Sequence, residues 1–334
     1  MIFDNSRISA RQMQALLILW IFSTALIALP SLSGGLYAML AGGVIIVAEC
    51  GLISFAVKRM GMLMRKISAV LAGVSMIFYT GMNIRLLCSA VGLYLLPDTP
   101  SRITAAVFVI AAVYAAFLGI QTIGRAGEII FVIAAVNAVI AAVLCLFDEG
   151  REIVGAVGQG QCCVSNGLQS AFLFGGGQAL FVLLPRTDGE KIGSKAVSAA
   201  VIAVLAAALF AWIALVKFGA ADTAARAFPA LNILDTVSLE FIFGDKQDVF
   251  MLRLWILAVF SAVGLGIFAF GNIFGENGAY SAVGGAMAFA MSFVPKTAEE
   301  ALWLIYMAGA ICLVLFGALL PLIGILFRKA GGEK

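Results

Sequence analysis

The sequence predicts an all-α integral membrane protein with about ten transmembrane helices. Hydrophobic residues make up 63% of the 334 residues and charged residues 12%, whereas soluble globular domains are about 45–50% apolar and about 25% charged. The mean hydropathy is +1.09, so a water-soluble fold would lack the polar groups needed to cover its surface. The apolar runs are continuous rather than alternating, which argues against a transmembrane β-barrel.

Ten apolar stretches, separated by charged residues and by Pro or Gly, come close to the ~20 residues that a spanning helix needs. The predicted spans are 12–30, 35–57, 67–95, 103–120, 126–147, 166–184, 194–217, 248–274, 278–294 and 299–327. The fourth, sixth and ninth have the weakest signal. The first follows two arginines, as a signal peptide does, but nine more spans follow it and no good cleavage site ends it. It is therefore predicted to be a retained helix.

Ten spans divide into two halves of five, and because five is odd the halves have opposite orientations in the membrane. We therefore predict a single transmembrane domain over residues 1–334, with repeat A at about 12–147 and repeat B at about 166–327. Lys and Arg lie mostly in the loops on the side of the N-terminus, which predicts that both termini are cytoplasmic. The long loop 218–247 then lies outside, as either a lid over an outer vestibule or a solvated connector.

Three consecutive glycines interrupt the sixth span. Each residue of Gly175-Gly176-Gly177 costs about 1 kcal/mol relative to alanine in a helix. Irregular backbone is tolerated at membrane depth only inside protein or beside a water-filled cavity. Gln178 follows the run and can both donate and accept hydrogen bonds. The run is therefore either a break that forms a ligand site or a place where helices pack closely through small residues.

The first span carries a matching element. FSTALIALP from Phe22 to Pro30 parallels FGGGQALFVLLP from Phe174 to Pro185, and paired interrupted helices are the best sequence pointer to a transporter binding site. Ser23 and Thr24 stand where the second half has its glycines, and their hydroxyls can cap an unwound turn or bond back to the preceding turn. A broken helix presents backbone N–H groups and a positive dipole end, which suit the carboxylate of an amino acid.

Glu49 is an ionisable residue well inside the second span, and such residues are functional candidates by default. We predict that it couples protons or acts as a gate; the alternative is a structural hydrogen bond to a neighbouring helix. Arg85 in the third span is not expected to pair with it, because Glu49 lies about 12 Å and Arg85 about 27 Å from the cytoplasmic ends of their helices. The chain has no histidine, so a proton relay would need Asp, Glu, Tyr or water.

Other polar residues within the spans are candidates for lining a ligand site. Tyr79 and Asn83 lie in the middle of the third span, and Ser261 lies in the eighth. Each of them alone is more often a hydrogen bond between packed helices than a ligand contact.

Motifs of soluble enzymes are absent from the sequence. It contains no phosphate-binding loop, dinucleotide fingerprint, histidine-based metal motif or GxSxG. We therefore expect no enzymatic activity, no cofactor, no metal site and no nucleic-acid partner. The adjacent Cys162 and Cys163 have no metal-ligand spacing and are expected to be structural.

Three segments together carry a resemblance to a known family. The first is Ile8-Ser9-Ala10-Arg11-Gln12, just ahead of a first helix that ends in Leu-Pro. The second is the glycine break of the sixth helix, followed by Leu-Pro and a short basic loop. The third is DVFMLRLWILAVFSAVGLGIF from Asp248 to Phe268, which contains Trp255. Over nearly its whole length the chain resembles the spore germination permease family, the B subunits of GerA-type nutrient germinant receptors in endospore-forming Firmicutes.

The resemblance implies the amino acid–polyamine–organocation superfamily and its LeuT-type fold, a 5+5 inverted repeat with broken helices 1 and 6. It implies a subunit that senses an amino acid or similar small nutrient in the spore inner membrane. This subunit would signal to an A-type membrane subunit and a C-type lipoprotein subunit. Superfamily ligands bind at the two breaks, with helices 3 and 8 nearby. Carried over, that points to Ser23, Thr24, Gly175, Gly176, Gly177 and Gln178.

Three functions are compatible with these features. In a receptor, ligand binding shifts a conformational equilibrium that a partner subunit reads. In a proton-coupled amino-acid transporter, Glu49 carries the proton while the solute crosses. In a structural membrane subunit no ligand binds, and the triple-glycine run argues against this reading because a scaffold needs no unwound helix. The fold alone does not separate the first two.

Overall fold

The computed structural model describes residues 7–28, 35–147, 164–233, 248–275 and 278–324. Within these ranges the chain forms eleven α-helices and two strands of two residues each. The helices are α1 Ala10–Ala28, α2 Gly35–Arg59, α3 Met62–Tyr94, α4 Ser101–Phe117, α5 Ile120–Phe147, α6 Val164–Phe174, α7 Gln178–Leu183, α8 Ile192–Ala225, α9 Asp248–Gly271, α10 Tyr280–Met291 and α11 Ala298–Val314. The strands are β1 Ile8–Ser9 and β2 Thr187–Asp188.

All ten predicted spans are helical over most of their described residues. Eight helical segments of the described ranges are long and apolar enough to cross a membrane. The other two, α4 and α10, are shorter apolar helices of 17 and 12 residues and correspond to the fourth and ninth predicted spans. The sixth span consists of α6 and α7 with the glycine run between them. The prediction of an all-α membrane protein is therefore confirmed.

Helix α1 lies at the centre of the bundle. Fifteen of its 19 residues are buried, and it packs against α5, α8 and α9. A helix that is apolar on every side is buried on every side. Other helices expose apolar side chains such as Val107 in α4, Ile129 in α5 and Ile311 in α11, which suits contact with lipid tails.

The first helix departs from the prediction in one respect, because it is continuous from Ala10 to Ala28. Neither Gly nor Pro occurs between those residues, so nothing in the local sequence interrupts the hydrogen-bond ladder. The Ser23 hydroxyl bonds back to the carbonyl oxygen of Trp20 at 2.9 Å, as helical serines commonly do. The prediction of a break at Ser23 and Thr24 is therefore wrong for this conformation. Of the two spans predicted to be broken, the described residues show an interruption in the sixth alone.

The break in the sixth span is confirmed. Helix α6 ends at Phe174 and α7 begins at Gln178, and Gly175 has a φ of 45°, a left-handed conformation that glycine adopts without strain. Pro185 lies in a 3₁₀ turn that follows α7 directly. The glycine run therefore changes the direction of the backbone in the middle of the span.

The segment that precedes α1 pairs with the segment that follows the sixth span. Strands β1 and β2 pair in parallel, with Ile8 opposite Thr187 and Ser9 opposite Asp188. The Arg7 Nη1 and Asp188 Oδ1 atoms lie 2.6 Å apart in an exposed ion pair. We call this end of the bundle, where α1 begins, the inner end.

Helix α8 continues into the predicted outer loop 218–247. It kinks at Gly219, where φ is 76°, and then runs on to Ala225. Beyond the helix Phe228, Leu231 and Ile233 are buried, and the Phe228 ring lies 6.5 Å from that of Tyr94 at the end of α3. This part of the predicted loop is packed onto the bundle and is not a solvated connector. Residues 234–247 lie outside the described residues.

Candidate functional site

Each glycine of the break is packed against a different helix. A Cβ added at Gly175 would lie 2.7 Å from Cε1 of Tyr79 in α3, and one added at Gly176 would lie 2.5 Å from Cγ1 of Ile21 in α1. A Cβ at Gly177 would overlap the carboxyl group of Glu49 in α2. The run is therefore both a backbone break and a point of close packing, and the binding of a ligand there stays a prediction.

The carbonyl groups around the break are bonded by buried indoles. Trp20 Nε1 in α1 donates to the carbonyl oxygen of Gly175 at 3.1 Å, and Trp255 Nε1 in α9 donates to the carbonyl oxygen of Ser23 at 2.6 Å. Trp20 was not among the predicted site residues. The signal that could have found it is a tryptophan one turn before the Ser-Thr pair that aligns with the glycines.

Thr24 and Asn83 form a buried polar pair between α1 and α3. The amide nitrogen Nδ2 of Asn83 donates to Oγ1 of Thr24 at 3.1 Å, and both side chains are almost fully buried. Because a buried polar group without a partner costs free energy, each residue keeps the other satisfied. Both side chains were predicted to contact the ligand. In this conformation each is the hydrogen-bond partner of the other.

Tyr79 connects the break to the last span. Its ring lies against Gly175 and its ring centroid is 6.4 Å from that of Trp20. Its hydroxyl group is 3.5 Å from the carbonyl oxygen of Ile305 in α11. Because 3.5 Å is a long distance for a hydrogen bond, this bond is weak, and the hydroxyl group can rotate toward another acceptor.

Glu49 lies at the junction of two irregular helical segments. Its carboxyl group contacts Gly177 of the break, and its Cγ is 3.2 Å from a Cβ built on Gly317. Gly317 belongs to a π-helical segment, Leu315–Leu319, that continues α11, and such segments are frequent at functional sites. Within the described ranges, no ion pair or hydrogen bond joins Glu49 to another residue.

Arg85 is not the partner of Glu49, in agreement with the sequence. Its Nη2 donates to the backbone carbonyl of Lys296, just before α11, while the carboxyl group of Glu49 packs beside Gly177. The buried carboxyl group of Glu49 thus has no cationic partner among the described residues, an arrangement that strongly disfavours an isolated charge.

Gln178 and Ser261 carry buried polar atoms without partners among the described residues. Gln178 is 1% exposed and its Nε2 has no acceptor there; Ser261 is 3% exposed and its Oγ has no partner there. Gln178 directly follows the break. Ser261 instead lies beside Gly127 and Leu16, and Leu16 precedes Ser23 by about two helical turns, or roughly 10 Å. The structure thus places Gln178 at the break and Ser261 closer to the inner end.

The predicted site residues therefore form one cluster with a single outlier. The cluster lies where α1, α2 and α3 meet the broken span, and α9 reaches it through the bond from Trp255 to Ser23. Ser261 lies closer to the inner end. The predicted site residues that belong to the cluster are Ser23, Thr24, Glu49, Tyr79, Asn83, Gly175, Gly176, Gly177 and Gln178.

Cys50, Cys88 and Cys312 are free and buried, whereas Cys162 and Cys163 lie outside the described residues.

Comparison with known proteins identifies both a family model and a fold. A family model described as "Spore germination protein" matches residues 33–277. Among solved structures, the crystal structure of MhsT in complex with L-phenylalanine is similar, with a TM-score of 0.71 and 15% sequence identity over 98% of this chain and 90% of that one. In all, 103 solved chains match, and no curated protein sequence matches significantly. MhsT is a LeuT-fold transporter, and the likeness confirms the LeuT-type fold.

Proposed function

Because the chain belongs to the spore germination protein family and has a LeuT-type transporter fold, we propose that it senses an amino acid or similar small nutrient. The ligand binds at the break of the sixth span, between α1, α3 and α9. The observation that carries this proposal is that two helices place buried side chains with polar groups against one unwound segment: Trp20 of α1 bonds to Gly175 and Tyr79 of α3 lies against it. The Thr24–Asn83 pair joins the same two helices about one turn further along.

The chemistry of the cluster suits a zwitterion. Backbone N–H groups at the break lie outside regular helix and can bind a carboxylate, while carbonyl oxygens and the Asn83 and Gln178 side chains can accept from an ammonium group. The L-phenylalanine named with MhsT supports an amino acid as the class of ligand.

Ligand entry requires a second conformation. In this one the glycines are in contact with Tyr79, Ile21 and Glu49, and Trp20 and Asn83 have partners within the protein. A ligand that replaces those partners binds the open state better than the closed state and so shifts the equilibrium toward it. In the receptor, an A-type membrane subunit and a C-type lipoprotein subunit read that shift in the spore inner membrane, with both termini of this chain in the cytoplasm.

The alternative function is proton-coupled amino-acid transport. The observation in its favour is Glu49, a buried carboxyl that contacts both Gly177 and Gly317. Gain or loss of a proton at that position changes the contacts of two irregular segments at once. Transport and sensing share the ligand site and differ in whether the solute crosses.

The experiment that tests the site is binding of a labelled amino-acid panel to purified protein, with two matched glycine variants. Gly176→Ala places a Cβ 2.5 Å from Ile21, whereas nothing lies within 4 Å of a Cβ at Gly264 in α9. We expect saturable binding by the wild type and by Gly264→Ala, and weakened binding by Gly176→Ala. Equal binding by both variants, or no binding by a folded protein, would contradict a site at the break.

Two further measurements separate the functions. Uptake of the bound amino acid into proteoliposomes, driven by a proton gradient, would establish transport and remove the need for a partner. Binding without uptake, together with co-purification of A-type and C-type subunits, would establish the receptor.

A further inference from the structure

A cavity of about 510 Å³ lies between α1, α5 and α8 toward the inner end of the bundle. The lining residues that give it its character are Arg11, Gln14, Glu128, Ile129, Ile133 and Ile202. None of the residues that line it belongs to the ligand cluster around the break. The cavity is therefore a second concave site, separate from the one proposed for the nutrient.

The cavity is polar toward the inner end and apolar further into the bundle. Arg11 is the second residue of α1, and α5 also begins at the inner end, since its Gly124 packs beside Ile8 of β1. Along α5, Glu128 comes first, and Ile133 lies about 7.5 Å deeper. In a protein that spans a membrane, this order matches the order of headgroup and acyl chain in a lipid.

One cation and one carboxylate face this space from different helices. Of the described residues that line the cavity, Arg11 and Glu128 alone are charged. The Nε atom of Arg11 and Oε1 of Glu128 lie 3.8 Å apart, which is an ion pair but too long for a hydrogen bond. Both groups can therefore form charge-assisted hydrogen bonds with a ligand. Because the two charges are opposite, they suit a zwitterion better than an anion or a cation.

Gln14 supplies a further polar group from α1. Its Nε2 atom donates to the Ser198 hydroxyl of α8 at 3.0 Å. This bond holds the amide group in place, and its Oε1 atom can accept a hydrogen bond from an ammonium group. A primary ammonium group has three N–H donors, enough for both Glu128 and Gln14, whereas a quaternary ammonium group has none.

The apolar end of the cavity is continuous with the outer surface of the bundle. Ile129 is 63% exposed, Ile133 42% and Ile202 39%. In a membrane, exposed isoleucines of two neighbouring helices contact acyl chains. The occupant that matches both ends is therefore amphipathic, with a zwitterionic headgroup that carries N–H donors and with a hydrocarbon chain.

We propose that this cavity binds phosphatidylethanolamine. The phosphate accepts from the guanidinium of Arg11, and the ammonium group donates to the carboxylate of Glu128 and to Oε1 of Gln14. One acyl chain lies along Ile133 and Ile202, between α5 and α8. The bound lipid joins α1, α5 and α8 near the inner end, so it stabilises this arrangement of the three helices.

The test uses the full chain in a neutral detergent, titrated with short-chain phosphatidylethanolamine, phosphatidylcholine or phosphatidylglycerol while Tm is recorded. Arg11→Gln/Glu128→Gln removes both charges from the cavity. The matched control, Arg125→Gln/Glu190→Gln, removes one charge of each sign from exposed positions that do not line it. We expect phosphatidylethanolamine to raise Tm most in the wild type and the control, with an apparent affinity about tenfold lower in the cavity variant.

Three results would overturn the proposal. Equal losses of affinity in the two double variants would mean that surface charge alone attracts the lipid. Equal Tm rises with phosphatidylethanolamine and phosphatidylcholine in the wild type would mean that Glu128 and Gln14 do not bind an ammonium group. A Tm rise with glycerophosphoethanolamine, which has no acyl chains, as large as that with the lipid would identify a soluble zwitterion as the occupant.

A second variant tests the apolar end without changing the charges. Ile202→Trp places a large ring there, and because Ile202 is partly exposed on the outer surface, the protein should still fold. We expect weaker binding of phosphatidylethanolamine, since the ring takes the space of the acyl chain. Binding equal to that of the wild type would place the chain outside the cavity and contradict the proposal.

Discussion

The hydrogen bond from Trp20 to Gly175 is expected to stabilise the fold more than the one from Trp255 to Ser23, although both join a buried indole to a backbone carbonyl. Ser23 lies within the continuous helix α1, so its carbonyl also accepts from the N–H four residues later. The Gly175 carbonyl lies at the break, where the helical ladder is interrupted. Trp20→Phe should therefore orphan an acceptor, whereas Trp255→Phe should only remove a second bond.

The magnitudes follow from those two situations. An orphaned buried acceptor costs about 1–3 kcal/mol, and an interhelical hydrogen bond in a membrane protein is worth about 0.6 kcal/mol on average. The loss of ring volume is the same in both variants, since both exchange tryptophan for phenylalanine at buried positions. Trp20→Phe should thus destabilise the protein by about 1 kcal/mol more than Trp255→Phe.

The assay is reversible unfolding in mixed micelles with increasing denaturing detergent, which reports the free energy of unfolding of each variant. Binding of the amino-acid panel, measured on the same samples, shows whether the break keeps its geometry. If the two variants lose equal stability, or if Trp255→Phe loses more, then the Gly175 carbonyl does not depend on Trp20 and the reasoning fails.

Three other substitutions test the surroundings of the break. Asn83→Ala leaves the Thr24 hydroxyl without its partner in α3 and should cost about 1–2 kcal/mol in the same unfolding assay; an unchanged free energy would show that the hydroxyl is satisfied by its own helix. Glu49→Gln keeps the shape of the side chain and removes its proton exchange, so amino-acid binding should persist while any proton-driven uptake into proteoliposomes is lost; uptake at the wild-type rate would exclude Glu49 as the coupling group. Arg7→Ala breaks an ion pair with Asp188 that is more than half exposed on both sides and should change stability by less than about 1 kcal/mol, and a larger loss that persists in high salt would point to a role for β1 beyond that pair.

Much of the fold could be read from the sequence because bilayer thickness fixes the length of an apolar run. The break of the sixth span was also readable, since three glycines in a row have both a low helix propensity and no side chain to pack. The first span shows the limit of this approach. Ser23 and Thr24 are compatible with an unwound turn or an intact helix, and the structure has an intact helix in which Ser23 bonds to Trp20.

The site could be predicted only in part, because contacts between distant segments leave no local pattern. Glu49 and Gly177 are far apart in the chain, and their contact follows from how α2 packs against α6. Ser261 shows that a polar residue within a span does not reveal its depth: the sequence marked it as a candidate together with the residues of the break, and the structure places it beside Leu16, closer to the inner end. Trp20 was missed because an indole in a membrane span is ordinarily read as apolar packing.

The unbroken course of α1 determines how movement can pass through this molecule. Nineteen helical residues make a rod about 28 Å long, and β1 fastens its beginning to the segment that follows the broken span. A displacement of the segment that follows α7 therefore also displaces the beginning of α1. Since the helix has no break between Ala10 and Ala28, a movement of its beginning is carried to its other end and is not absorbed by a bend between them.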